Sequence, residues 1–320
     1  MSILNNYVRQ AGVFTKLPCG SNWYKNGEID FLLNDEVSVL PMSHKDELLS
    51  HNADALYSSN AVYEIIKSCV PNVKDVKKLL IPDVEVLLLA IKIASTGNEI
   101  EVSTVCPKCL EVYNKSSEEE RIRLQKEKLI SIEPQDYLFD AKLCLEQFKP
   151  KENQYILEFE KFKVHCIPMT LEDSSKLDIL NFEIRNALNI YLEESKKEGV
   201  FEENVKILSN VDEWKTNMDK NTKLNNLLVK LDDIVVDTLI SSIICIEVAE
   251  GREYDKEAIK NFLLQIPGDM FVTIRNYINS INETSLDKTM ECQCQFCNHT
   301  WVNESLEFDI SRFFGKSSSR

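Results

Sequence analysis

The spacing of apolar residues changes period several times along this chain, and each change predicts an element. Between Val84 and Ile93 nearly every position is apolar, which predicts a buried helix from about Asp83 to Ser95. Pro82 sets its start and Gly97 its end. NEIEVSTV (98 to 105) then alternates Ile100, Val102 and Thr104 against Glu99 and Glu101, a half-buried strand. It runs into CPKC, and LEVY beyond reads as a return strand. Upstream, Ser43 with Asp46 three residues later forms a capping box for a helix in HKDELLSHNADALY. SNAVYEIIKSCV gives a second short helix, and LPCGSNWYKNG is turn-rich around Trp23 and Tyr24. The first sixteen residues have weak periodicity and suit an arm or an edge strand.

SSEEERIRLQKEKLI reads as a charge-laced, solvated helix, and YILEFEKFKVHCIPMT (155 to 170) as a hairpin turning near Glu160 and Lys161. Leu177, Leu180, Ile184, Leu188 and Tyr191 recur at helical steps between Leu171 and Gly199. A polar region follows, then a long helix through Leu224, Leu227, Leu228, Leu231, Ile234 and Val235 that ends near Gly251. YDKEAIKNFLLQIP and GDMFVTIRNYINSIN supply two more helices. The chain closes on a cysteine cluster, an alternating LEFDI, RFFG and a polar tail. The expected fold is α+β: a mainly helical body with short β-hairpins and a split zinc-ribbon-like site made of two CxxC knuckles. Its expected organisation is an N-terminal arm (1–16), a helical region with the first knuckle (17–115), a hairpin-plus-helix body (116–280) containing an insertion or mobile loop at 195–225, and a second knuckle with a C-terminal strand and tail (281–320).

Composition narrows the function. The 320 residues are 43% hydrophobic and 28% charged, with only 8 Gly and 9 Pro, as in an ordinary globular protein. A net charge of -15 opposes binding to phosphate backbones, so no nucleic-acid partner is expected. The two most apolar stretches, 84 to 94 and 234 to 249, are shorter than the ~18–20 residues of a membrane span, and the second contains Asp237. Both read as buried core helices, and no membrane partner is expected. MSILNNYVRQAGVF lacks the apolar run of a secretory signal, and the internal HKDEL is no retention signal. No catalytic motif is present. His44 and His51 are too far apart to share a metal unaided, and His165 fits a structural role in its hairpin. The chain is not expected to be an enzyme.

Ten cysteines without a signal peptide argue for free thiols. Cys69, Cys144, Cys166 and Cys245 stand singly among apolar residues as small core hydrophobes, while Cys19 in LPCGSN reads as a loop residue. The remaining five cluster. Cys106 and Cys109 in CPKC, and Cys294 and Cys297 in CQFC, each follow a strand-like stretch and precede another, as in zinc knuckles. Four thiolates from two knuckles close a tetrahedral structural Zn2+ site with no open position. A compact ribbon separates its pairs by about 15–20 residues, far less than here, so the ends of the intervening body must meet. Cys292 could substitute or stand behind the ligands, and His299 could ligate instead. Asn298 follows the last cysteine where a left-handed residue is wanted. Thioredoxin-like redox chemistry would need CPKC at a helix N-terminus, and the strand-like LEVY argues against it.

The order of these motifs resembles the baseplate-hub proteins of T4-like contractile-tailed bacteriophages, the T4 baseplate protein family. The resemblance is carried by Leu17, Pro18 and Tyr24, by MSHKDELLS, by SCV, and by IPDVEVLLLAIKIASTGNEIEV leading to CPKC. IPMT, FLLQIPGDMFVTIRNYIN, CQFC and FDISRFFG carry it through the second half. Cys19-Gly20 departs from the family's usual turn, and 195–225 has no counterpart. The resemblance implies a non-catalytic structural or assembly role in the tail hub. Its partners would be other hub proteins and the tape-measure protein, within a symmetric oligomeric tail assembly. Its location would be the virion baseplate, or the host cytoplasm during assembly. The N-terminal arm and RFFG would be docking points. The rival readings are a zinc-ribbon regulator contacting nucleic acid or polymerase, and a CxxC thiol oxidoreductase.

Overall fold

The computed structural model describes residues 9–24, 26–50, 60–148, 155–179, 182–183, 186, 235–283 and 286–303. His51, the periodic positions from Leu180 to Tyr191 apart from residues 182, 183 and 186, the 195–225 region, Leu224 to Ile234, LEFDI and RFFG lie outside them. Helices and short antiparallel strands mix along the described chain, as expected for α+β.

The first core forms around one helix. Strands β1 (Val13–Lys16) and β2 (Glu36–Val39) pair antiparallel. The short helices α1 (His44–Ser50) and α2 (Asn60–Cys69) follow. Helix α3 (Ile81–Thr96) is buried from Pro82 through Ile93 on nearly every side, as its uninterrupted apolar run requires. Pro82 sits in its first turn, and Gly97 closes it at φ 100, where a side chain would be strained. The predicted ends thus hold within two residues.

The capping box of α1 is present and forms part of a larger polar knot. Asp46 is 2% exposed, and its Oδ2 accepts from the Ser43 amide (2.8 Å), the Ser43 hydroxyl (2.7 Å), the Ser68 hydroxyl (3.0 Å) and Arg9 Nη1 (3.0 Å). Burial acts to raise the carboxyl pKa, but these donors outweigh it and hold the group below its ordinary range. Because the folded-state pKa is depressed, the ionised group stabilises the fold above its unfolded pKa. That stability is lost as pH falls through the folded value. Asp46→Asn should therefore lower stability by about 2 kcal/mol near pH 7 and much less in strong acid. Urea unfolding of both proteins across pH reads this, and equal differences at every pH would contradict it.

Strand β3 (Glu99–Thr104) matches its alternation but pairs with β4 (Gln135–Asp140), with Thr104 opposite Gln135. LEVY is not a return strand. It lies in helix α4 (Pro107–Lys115), which starts on Pro107 and buries Cys109 with Val112 and Tyr113 beside it, a helical stripe. The exposed charge-laced helix α5 (Glu118–Lys126) and α6 (Ala141–Gln147) complete this part.

The second core lies under a four-stranded antiparallel sheet of β5 (Tyr155–Glu158), β6 (Phe162–Cys166), β7 (Ile243–Val248) and β8 (Gly251–Glu253), in that order. The β5–β6 hairpin turns at residues 160 and 161, as expected. The predicted helix up to Gly251 is corrected: residues 235–241 are helical, but β7 follows at once. Ile243, Ile244, Ile246 and Val248 are β-branched, and they suit a central strand between β6 and β8 better than a helix. Helices α7 (Lys256–Gln265) and α8 (Gly268–Asn282) pack Ile259, Leu263, Ile274, Ile278 and Ile281 into this core. His165 is bound at Nε2 to Glu247 (3.0 Å), the satisfied structural role expected of it, and His44 is exposed. Cys69, Cys144, Cys166 and Cys245 are buried. Cys19 stands in its loop but is 0% exposed, because its amide donates to the buried carboxylate of Asp83.

Candidate metal centre

Two unlike supports deliver the four predicted thiols. On one side β3 ends in CPKC, with Cys106 as the N-cap of α4 and Cys109 inside its first turn. On the other, β9 (Met290–Gln293) and β10 (Thr300–Asn303) pair as a hairpin whose turn carries CQFC. The Cys294 amide donates to the His299 carbonyl at 2.9 Å and the Asn298 amide to the Cys294 carbonyl at 3.1 Å. Asn298 sits at φ 53, the left-handed conformation expected of it. Asn298→Gly should be tolerated, whereas Asn298→Val should cost about 1–2 kcal/mol in urea unfolding. Equal stability of the two variants would refute the strain argument.

The pairs, 185 positions apart between Cys109 and Cys294, converge. The four sulfurs all lie within 4.8 Å of one another. Cys106 and Cys297 are 3.7 Å apart, Cys109 and Cys294 3.7 Å, and Cys109 and Cys297 3.5 Å. A disulfide needs about 2.05 Å, whereas a tetrahedron with ~2.3 Å metal–sulfur bonds has edges of about 3.8 Å. The separations therefore fit a four-thiolate cage rather than oxidised pairs. Cys106, Cys109 and Cys294 are buried, Cys297 is half-buried, and Ile130, Leu124, Val112, Phe296 and Trp301 wall the cluster.

A family model described as T4 bacteriophage base plate protein matches residues 26–315. The chain belongs to that family. No curated protein and no solved structure matches it. The matched span includes both CxxC pairs. A baseplate protein has a structural role in the phage tail, among other tail proteins. No described helix is long and apolar enough to cross a membrane.

The neighbouring candidates take no part in the cage of this baseplate protein. Cys292 points into the first core, with its thiol against the Met290 carbonyl at 3.8 Å. The His299 ring stacks on Trp301 at 6.1 Å and falls outside the four-sulfur group.

Sequence reasoning missed Gln135 and Tyr137. Gln135 Nε2 donates to Cys294 Sγ at 3.4 Å, the Phe296 amide donates to the same sulfur at 3.4 Å, and the Tyr137 hydroxyl reaches the Gln293 carbonyl at 3.1 Å. No motif marks them. Only the β3–β4 pairing brings them to the site.

The helical start at CPKC also removes the objection that no helix dipole acts on it. Burial nevertheless pushes the Cys106 thiol up, whereas a redox nucleophile at a helix N-terminus is driven down. Burial foremost raises Cys109 too, with the Ser131 backbone opposing it in part. Cys294 alone is lowered, to about 6: burial opposes ionisation, but the Cys297 and Phe296 amides, Gln135 and the Cys109 thiol outweigh it. A thiol held low beside Cys106, Cys109 and Cys297 suits metal capture better than thiol exchange within CPKC.

Proposed function

We propose that this baseplate protein is a non-catalytic component or assembly factor of the tail hub, with its ends clasped by a structural Zn2+ on Cys106, Cys109, Cys294 and Cys297. The observation that carries the clasp is the convergence of four thiols at tetrahedral spacing within the family's matched span. Soft thiolates select zinc over hard cations. Bound there, the metal would supply a crosslink and no open coordination position. The chain's own residues do the rest. Cys106 is set by the N-cap of α4, Cys109 by its first turn, and Cys294 and Cys297 by the β9–β10 turn. Joined, they hold the chain's late hairpin against its first third, and so hold a tail-facing surface in shape.

The partners proposed are other hub proteins and the tape-measure protein, in the virion baseplate or in the host cytoplasm while tails assemble. Affinity purification of the tagged chain from infected cells should enrich them. Recovery of no tail protein, or of an outer baseplate protein alone, would overturn the hub assignment. One equivalent of zinc per chain is expected by metal analysis. Less than about half would overturn the clasp. Among the described residues the rim opposes the nucleic-acid alternative, since Glu99, Glu101, Glu111 and Glu291 are exposed around the knuckles against Lys108. Salt-sensitive DNA binding would reinstate it.

A further inference from the structure

The clasp is held by four thiols, but a fifth side chain addresses one of them from outside. Gln135 is the first residue of β4 and lies opposite Thr104 in the β3–β4 ladder, two residues before Cys106. It is 8% exposed. Its Nε2 donates to Cys294 Sγ at 3.4 Å, and its Oε1 accepts the Gln295 amide at 3.0 Å. The Tyr137 hydroxyl also reaches Oε1 at 3.3 Å. The amide is thus satisfied at both ends by the CQFC turn. It is placed there by the register of the strand pair that leads into CPKC.

Resting on the metal reading above, we propose that Gln135 is a positioning residue for the metal site. It orients Cys294 and stabilises the thiolate there, coupling the β3–β4 hairpin to the second knuckle. The physical basis is the charge-assisted N–H···S bond. A donor aimed at a sulfur favours the ionised, metal-ready form and fixes the direction of its lone pairs. Because Gln135 is set by the ladder carrying Cys106, the amide also fixes the distance between the two halves of the clasp. Apart from the Tyr137 hydroxyl, the buried amide is bound only to the knuckle, at Cys294 Sγ and the Gln295 amide. Loss of an outer partner of this kind lowers metal affinity by about 10–100-fold.

The test uses the full chain with Zn2+ and with Co2+ as the probe metals, in Gln135→Met, which fills similar space without a donor, and in Gln135→Glu, which sets a carboxylate against the thiolate. Ser103→Ala is the control, because it removes a bond across the same β3–β4 ladder, to Asp136, that touches neither Gln135 nor the CQFC turn. Zinc affinity by chelator competition should fall about 10–100-fold in both Gln135 variants and less than about threefold in Ser103→Ala. In the Co2+-loaded Gln135→Met protein, the sulfur-to-cobalt charge-transfer band should move to longer wavelength at unchanged intensity, since four thiolates remain but one has lost its donor. The metal-free variants should melt with metal-free wild type. Unchanged affinity and band position would overturn the proposal. So would an equal loss in Ser103→Ala, or a metal-free Tm lowered as much as the loaded one, because either means the β3–β4 hairpin rather than the amide is responsible. Wild-type protein that binds neither metal would overturn the clasp itself, which separates the two failures.

Discussion

Removing the proposed zinc is expected to lower the Tm of this baseplate protein by roughly 10 °C. A ligand present at about 1,000 times its dissociation constant adds ~4 kcal/mol to the folded state, and each kcal/mol moves the midpoint of a large domain by about 2–4 °C. The clasp closes a span of 185 positions from Cys109 to Cys294, so its loss frees the late hairpin from the first third of the chain. Cys294→Ser should abolish zinc retention and match the chelator-treated wild type in thermal melting. Cys292→Ser is the comparison: that thiol is 2% exposed in the apolar core, so the change should cost about 1–2 kcal/mol of packing while leaving zinc content at one equivalent. Full zinc in Cys294→Ser, or a chelator without effect on the melt, would refute the clasp.

The second large effect is expected at Asp83, which is 0% exposed in the first turn of α3. Its carboxylate accepts the Cys19 amide at 2.8 Å and the Tyr24 hydroxyl, and that hydroxyl accepts the Leu80 amide at 3.0 Å. Cys19 and Tyr24 belong to the LPCGSNWY loop and Leu80 directly precedes α3, so the network locks that loop onto the start of the central helix. Asp83→Ala leaves two buried donors without their acceptor and should cost about 3–5 kcal/mol in urea unfolding. Tyr24→Phe should cost about 2 kcal/mol, and the double variant less than the sum, because both changes break one network. A loss below about 1 kcal/mol in Asp83→Ala would contradict this account. Leu17 and Tyr24 precede the matched span of 26–315, and the network gives them a structural task of their own. They build the clamp, with Leu17 in the core and Tyr24 on Asp83, and they need no ligand to justify them.

Two errors of element type show where local pattern is insufficient. LEVY alternates like a strand, yet Pro107 at the first helical position and the buried stripe of Cys109, Val112 and Tyr113 make it a helix. Leu110, which a strand would have buried, is 43% exposed instead. Residues 243–248 continue an apolar run that begins as a helix, and only the vacant place between β6 and β8 makes a strand of them. In both cases short apolar runs suit either period, and the partner across space decides.

The grouping of the four cysteines was legible because chance rarely supplies two pairs of thiols at a two-residue gap. Asn298 was legible because a left-handed backbone position restricts side-chain choice. Capping, the bounds of α3, the β5–β6 hairpin and the family were likewise written in local order, since each depends on neighbours within a few positions. The convergence of CPKC with CQFC, the inward turn of Cys292 away from them, the hold of Gln135 on Cys294 and the Asp83 lock depend on contacts between distant segments. A hydrogen bond or a thiol cage has no sequence period, so only the tertiary structure could decide them.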